Sequence, residues 1–317
     1  MNGCFLGFDT SNYTTSFSVC TADGVITKLV KLPLEVETGA RGLRQSDAVF
    51  KHTVNFGRIA DEISSYFGES KKKVLGIGCS VRPRDVEGSY MPCFLVGSAL
   101  AHNLGAVLNV PVYEFSHQAG HVAAALYGSG AIHLFGKDFI AFHVSGGTTE
   151  VLRVSFSAVS AMTIVRIGGT RDLNAGQIID RTGVMMGLPF PSGRAMEDLA
   201  REYEGSVPKY KVKIDGFEFN LSGLENKAAK LYDETADARL CSAFVLNAVG
   251  DLIAGITSRV GEAFPGLPVV FSGGVMSCGI ISERLSDKGY FAKPEFSSDN
   301  AAGAAYLAML AAGGAEE

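Results

Sequence analysis

The chain has 317 residues, 47% of them hydrophobic and 19% charged, with a formal charge of −5. These values exclude a disordered chain, fit two domains of roughly 150 residues each, and weigh mildly against a nucleic-acid binder. Six cysteines (Cys4, Cys20, Cys79, Cys93, Cys241 and Cys278) without a CxxC pair exclude a zinc ribbon and a disulfide scaffold.

The chain opens on an apolar strand with no basic segment and apolar core before it, so no signal peptide is expected. No apolar run is read as reaching the ~20 residues that span a bilayer. A cytoplasmic protein without a membrane partner is the expectation. Residues 5–19 then read FLGFDTSNYTTSFSV, a strand, a polar turn and a returning strand. Helix follows over 48–67, strand over 74–80, helix over 93–107 and strand over 108–115, with Lys71, Lys72 and Lys73 as a solvated loop between elements.

Residues 139–153, FIAFHVSGGTTEVLR, repeat the opening hairpin. Phe5 matches Phe139, Phe8 matches Phe142, Ser11 matches Ser145, and Thr14-Thr15 match Thr148-Thr149. Such a match in the same order of strand, Ser turn and strand points to internal duplication. Helices over 175–187, 194–203 and 236–262 come next, then strand Pro268–Phe271 and a last Ala-rich helix over 300–312 stopping at Gly313-Gly314. The pattern predicts an α/β protein with mixed sheets. Its first lobe is expected over 1–125, with the C-terminal helix 300–317 packing back on it, and its second over 126–299.

Three strand-end turns carry chemistry: Asp9-Thr10-Ser11, Ser145-Gly146-Gly147-Thr148 and Ser272-Gly273-Gly274. Glycine admits close backbone approach, and successive N–H groups of a tight turn make an anion-binding nest. Paired hairpins with a late Gly-Gly fit the order found in actin-like ATPase folds, where two such hairpins face each other across a cleft and hold phosphates. Nucleotide binding is the expectation. His117 and His121 lie four apart behind Ser116, a helix N-cap, so both imidazoles share one helical face and could share a metal. The protease form of HxxxH needs Glu after the first His; Gln118 stands there and cannot take a proton. Asp299, before the last helix, reads either as that helix's N-cap or as a third ligand.

Eight stretches in order resemble the TsaD (glycoprotease) family of tRNA threonylcarbamoyladenosine synthases. They are Phe8-Asp-Thr-Ser11, His117-Gln-Ala-Gly-His121, Val144-Ser-Gly-Gly147, Asn174-Ala-Gly-Gln-Ile-Ile-Asp180, Gly187-Leu-Pro-Phe-Pro-Ser-Gly193, Phe219-Asn-Leu-Ser-Gly-Leu224, Ser272-Gly-Gly-Val275 and Ser298-Asp-Asn300. The resemblance implies two duplicated lobes of the fold shared by sugar kinases, heat-shock ATPases and actin. It implies one divalent metal, iron or zinc, on His117, His121 and Asp299, and ATP or an AMP-containing substrate. Val144, Ser145, Gly146, Gly147, Thr148, Asp180, Gly193, Gly273, Gly274 and Cys278 would line the nucleotide site, with Asp9 and Ser11 as catalytic candidates. The implied reaction moves a threonylcarbamoyl group from its adenylate to the N(6) amine of a tRNA adenosine. A smaller, metal-free relative is the implied heterodimer partner.

The sequence also departs from that family. Tyr13 and Thr14 stand where it has two acids, Thr148 where it has His, Ala119 and Gln177 where it has Glu, and Cys278 where it has Asn. These changes motivate an alternative, a non-catalytic nucleotide-binding paralogue that partners another family member. A small-molecule kinase on the same fold would need a carboxylate base, for which Asp9 is the one candidate in the matched turns.

Overall fold

In the computed structural model, which describes residues 3–11, 13–35, 43–158 and 161–313, β1 (Gly3–Ser11) is buried along all nine residues. Such a strand is covered on both faces, which its unbroken apolar run anticipates. The chain separates into two units. One lies within Met1–Gly128, Phe156–Thr163 and Ser298–Glu317, the other within Ser129–Ser155 and Ile164–Ser297.

In the first unit, β1 pairs antiparallel with β2 (Thr14–Thr21), and β2 with β3 (Ile26–Pro33). On its other side β1 pairs parallel with β4 (Lys73–Arg82), and β4 with β5 (Val112–Ser116). The order is β3-β2-β1-β4-β5. Helix α1 (Gln45–Ser70) turns Ala48, His52, Asn55 and Ile59 inward at helical spacing and ends where Lys71 adopts a left-handed conformation. Helix α2 (Phe94–Leu108) likewise ends at left-handed Asn109, so the strand expected from residue 108 begins only at Val112. Helix α3 (His117–Gly128) follows β5 without a spacer.

The C-terminal helix, Ala302–Ala311, packs on β1, β4 and α3. Its Ala-rich sequence permits this only because its neighbours are small too. A Cβ on Gly7 would lie 2.7 Å from the Ala305 nitrogen, and one on Gly303 would overlap the Gly120 carbonyl. Residues 314–317 of the expected 300–317 helix lie outside the described residues.

The second unit repeats the plan. Strand β6 (Phe139–Val144) pairs antiparallel with β7 (Thr149–Ala158), whose far neighbour is β8 (Ala161–Thr170). Parallel to β6 run β11 (Val269–Ser272) and then β12 (Tyr290–Phe291). The hairpin register is also repeated: Phe8 faces Phe17 and Phe142 faces Val151, so the shift that carries Phe8 onto Phe142 carries Phe17 onto Val151. A short hairpin, β9 (Ile214–Asp215) and β10 (Glu218–Phe219), extends the sheet beyond β8. The longer helices of the unit are α4 (Ala175–Met185), α5 (Gly193–Arg201), α6 (Ser222–Thr235) and α7 (Ala238–Ala263).

Helix α7 corrects the sequence reading that no apolar run is long enough to cross a bilayer. It has the length and a mean hydropathy of 1.7, but 72% of that window is buried inside the unit. Its apolarity belongs to a core, Phe244, Leu246, Ile253 and Ile256 being buried in the same cluster as residues of β6 and β11.

The close packing of the last helix gives a stability test. Gly303→Ala should lower unfolding free energy by about 1–3 kcal/mol, because backbone cannot yield as a side chain can. Gly57→Ala, at an exposed position of α1 with open space around it, should raise it by roughly 0.5–1 kcal/mol. Urea unfolding of both variants checks the pair.

Candidate metal centre and phosphate turns

The end of β5 sets the first site. Ser116 Oγ accepts the Ala119 N–H at 3.1 Å and donates to Asp85, capping α3 at its first turn. One helical turn then separates His117 from His121, with ring centroids 4.3 Å apart and Nε2 atoms 2.9 Å apart. Asp299 Oδ1 lies 3.1 Å from His121 Nε2 and 3.6 Å from His117 Nε2. All three ligand atoms lie within 4.8 Å of one another.

Asp299 is not the cap of the last helix. The N-cap is Ala301, and the adjacent Asn300 braces the helix start, its Oδ1 accepting the Ala302 N–H at 3.0 Å while its amide donates to the Ser298 carbonyl at 2.6 Å. The Asp299 carboxylate is thereby left to face the histidines.

Asp9 orders the centre from behind. It is 2% exposed; Oδ2 accepts from His117 Nδ1 at 2.7 Å and from Ser80 Oγ at 2.5 Å, and Oδ1 accepts the Ser11 N–H at 3.0 Å. With Nδ1 donating to Asp9, Nε2 is the nitrogen aimed at His121 and Asp299, and it carries the lone pair once the imidazolium loses its second proton. A carboxylate behind a histidine is the usual means of fixing a ligand's tautomer and ring plane. The geometry gives Asp9 a positioning role and, with both oxygens engaged, withdraws the base that a kinase would need. Ser11 is 3% exposed and its Oγ lacks a partner, so the hydroxyl is not open to solvent.

The charges follow the geometry. Burial pulls the His117 imidazole down, but the carboxylates of Asp9 and Asp299 outweigh it and push His117 up to about 10. Burial would raise Asp299, yet the bonds from both histidines hold it well below the usual carboxylate range. Asp9 is likewise held low against its own burial, by His117 first and then Ser80. Two imidazole nitrogens and a carboxylate oxygen this close favour a shared proton or metal ion among them.

The second unit holds the glycine turns. Ser145 N–H donates to the Thr148 carbonyl at 2.7 Å and Thr148 N–H to Ser145 Oγ at 3.1 Å, closing the β6–β7 turn. Gly176, at the start of α4, packs on this turn so closely that a Cβ would sit 2.5 Å from the Gly146 nitrogen. Gly146, Asp180, Gly193, Gly274 and Cys278 line one cleft of about 900 Å³. Arg194, Glu197 and Arg201 line it as well; their sequence carries no phosphate-turn signal and they were not anticipated. Val144 does not line it: its side chain is core, and Gly273 (φ 99°) presses on its backbone. Ser145, Gly147, Thr148 and Gly273 are outside the lining too, so their contribution is the shape of the turns.

Asp180 keeps one oxygen on the Ser192 N–H at 2.8 Å, and its partial burial raises its pKa. Burial likewise pushes the Cys278 thiol up to about 11, which makes it a neutral wall of the cleft. Gln177 accepts the Asn174 N–H at 3.0 Å, a helix-start role for a residue at a family Glu position. Ala119 is buried, while Tyr13 is exposed.

A sequence model of the family described as TsaD, tRNA N6-adenosine threonylcarbamoyltransferase, matches residues 35–306. The chain belongs to the TsaD family. A tRNA N6-adenosine threonylcarbamoyltransferase of Streptococcus pneumoniae (strain Taiwan19F-14) is 27% identical over 291 residues, covering 89% of this chain and 82% of that protein. One from Streptococcus suis (strain 05ZYH33) is 32% identical over 200 residues, 61% of this chain and 57% of that one. Among solved structures, full-length HypF in its phosphate- and nucleotide-bound form aligns with a TM-score of 0.61 at 14% identity, over 99% of this chain and 56% of that one. The activator of the 2-hydroxyisocaproyl-CoA dehydratase from Clostridium difficile with bound ADPNP aligns with a TM-score of 0.53 at 13% identity, over 98% and 96%. These likenesses establish for this TsaD-family chain the actin-like ATPase fold of α/β class.

The His117 environment makes a pH test. Its imidazolium stabilises the metal-free fold fully below the unfolded value of 6.5, and that contribution is lost as pH rises through about 10. Urea unfolding of metal-free protein should therefore show stability falling between pH 6.5 and 10. In His117→Gln that fall should be absent.

Proposed function

We propose that this TsaD-family chain transfers a threonylcarbamoyl group from its adenylate to the N(6) amine of a tRNA adenosine, using one divalent metal. The observation that carries the metal is the convergence of His117 Nε2, His121 Nε2 and Asp299 Oδ1, with His117 oriented by Asp9. Two imidazoles and one carboxylate suit iron or zinc and leave coordination positions for substrate. When bound, the ion would supply Lewis-acid polarisation of the carbamoyl carbonyl and a template for the phosphate.

The chain's own residues account for the rest. Asp9 fixes the His117 tautomer, and Ser80 keeps Asp9 in place. In the second unit the half-buried Asp180 carboxylate suits ribose hydroxyls, while Gly146 and Gly274 let backbone approach the phosphates of an AMP moiety. In the transfer the adenosine amine attacks the carbamoyl carbon, the new C–N bond forms, the bond to the AMP phosphate oxygen breaks, and the amine loses a proton. AMP is the leaving group.

The family match over most of the chain favours this transferase over the non-catalytic paralogue. Pairing with a smaller relative is supported by exposed apolar residues on the first unit's helices: Phe50 and Val54 on α1, Val107 and Leu108 on α2.

The test supplies purified protein and family partner proteins with threonylcarbamoyl-adenylate and tRNA lacking the modification, then reads nucleosides by mass spectrometry. Modified adenosine should form with the wild type, and His121→Ala or Asp299→Ala should lower the rate by about 100-fold or more. Asp180→Asn should weaken nucleotide binding by about 10-fold through loss of a charged acceptor. No modified nucleoside with any metal would overturn the reading.

A further inference from the structure

Between α5 and β9 the side chains alternate. Tyr210, Val212 and Ile214 turn toward the second unit's core, Val212 at 6% exposure and Tyr210 with its ring 6.1 Å from that of Phe244. Lys209, Lys211 and Lys213 are exposed between them. This is the alternation of extended chain, which sets successive lysines about 6.6 Å apart on one side. The segment leads into β9, the edge strand of its sheet, so nothing in that sheet pairs beyond it.

The three lysines form no ion pair among the described residues, although acids lie close in sequence. Asp215 is engaged with Arg171 at 3.0 Å and Glu218 with Arg166 at 2.6 Å. A fourth cation joins from α7: Arg259 Nη1 donates to the carbonyls of Ile214 and Gly216, both at 3.2 Å. Those bonds pin the guanidinium beside Lys211 and Lys213, and the three side chains line an indentation of about 290 Å³. Three positive charges with no ion pair among the described residues line this indentation, and Lys209 continues the row along the extended segment, in a chain of net charge −5. They create a local field of the sign that attracts polyanions.

We propose that Lys209, Lys211, Lys213 and Arg259 form a rail for the RNA phosphate backbone, holding the tRNA substrate by charge. The proposal rests on the transferase reading above, which supplies an RNA substrate, and adds where this chain grips it. Lysine is a compact point charge on a flexible stem, so the rail positions the strand and reads no bases. Its contribution is salt-dependent, since each neutralised phosphate releases counterions.

Fluorescence anisotropy of labelled, unmodified tRNA across a salt series tests it. The full-length variant K209A/K211A/K213A should bind at least about 10-fold more weakly at 0.1 M salt, with a slope of log K against log[salt] shallower by about 2 to 3. K209R/K211R/K213R should restore affinity and slope. Unaltered thermal unfolding and nucleotide binding in the alanine variant show that the unit is folded. Equal affinity and slope in wild type and alanine variant overturn the rail and leave the transferase reading standing. Lysine-dependent tRNA binding with no threonylcarbamoyl transfer keeps the rail and overturns the transferase. Lysine-dependent binding of inorganic phosphate without tRNA binding overturns the rail in favour of a small phosphorylated ligand.

Discussion

Two imidazole nitrogens held 2.9 Å apart beside a carboxylate oxygen cannot both present lone pairs to each other. One of them must carry a proton between them or both must turn to a shared ion, and the surrounding structure holds them in that relation. His117 and His121 are fixed by one helical turn and by the cap at Ser116. Asp299 is placed beside Asn300, which braces the start of the last helix, and Asp9 holds His117 from the far side. The carboxylates of Asp9 and Asp299 outweigh burial and push His117 up to about 10, so in metal-free protein a proton is favoured there. A divalent ion would take that proton's place.

The fold exists in the form needed to maintain this arrangement. Strand β1 delivers Asp9 at its end, β4 delivers Ser80, and the β5–α3 junction delivers the histidines. The C-terminal helix brings Asp299 to the same place from the other end of the chain, and its approach depends on Gly7, Gly78 and Gly303 giving it room. Loss of that packing would move a ligand as well as weaken a core. The second unit repeats the hairpin and sheet order, with the glycine turn at residues 145–148 standing where the first unit has residues 11–14.

Much of this was legible in the residues. The Phe and Ser-Thr-Thr matches pointed to duplicated hairpins, and the shared register now gives that repeat a structural meaning. Helices with capped, periodic sequences were found to within a few residues, as at Ala175–Met185 and Ala238–Ala263. Strands β3 and β8 escaped because a half-exposed third strand has little apolar signal of its own. The short pair β9–β10 is too brief to show a period. Spacing alone could not separate cap from ligand at Asp299, since Asp and Asn both cap helices and stand side by side there. Nor could it show that Asp9 lies behind His117, 108 residues away.

Metal titration tests the central constraint most directly. Zinc would be titrated calorimetrically into metal-free protein at pH 7 in two buffers of different ionisation enthalpy. One ion should bind per chain with release of about one proton, because the ion displaces the one on His117. Binding without proton release, or no binding that His121→Ala removes, would contradict it.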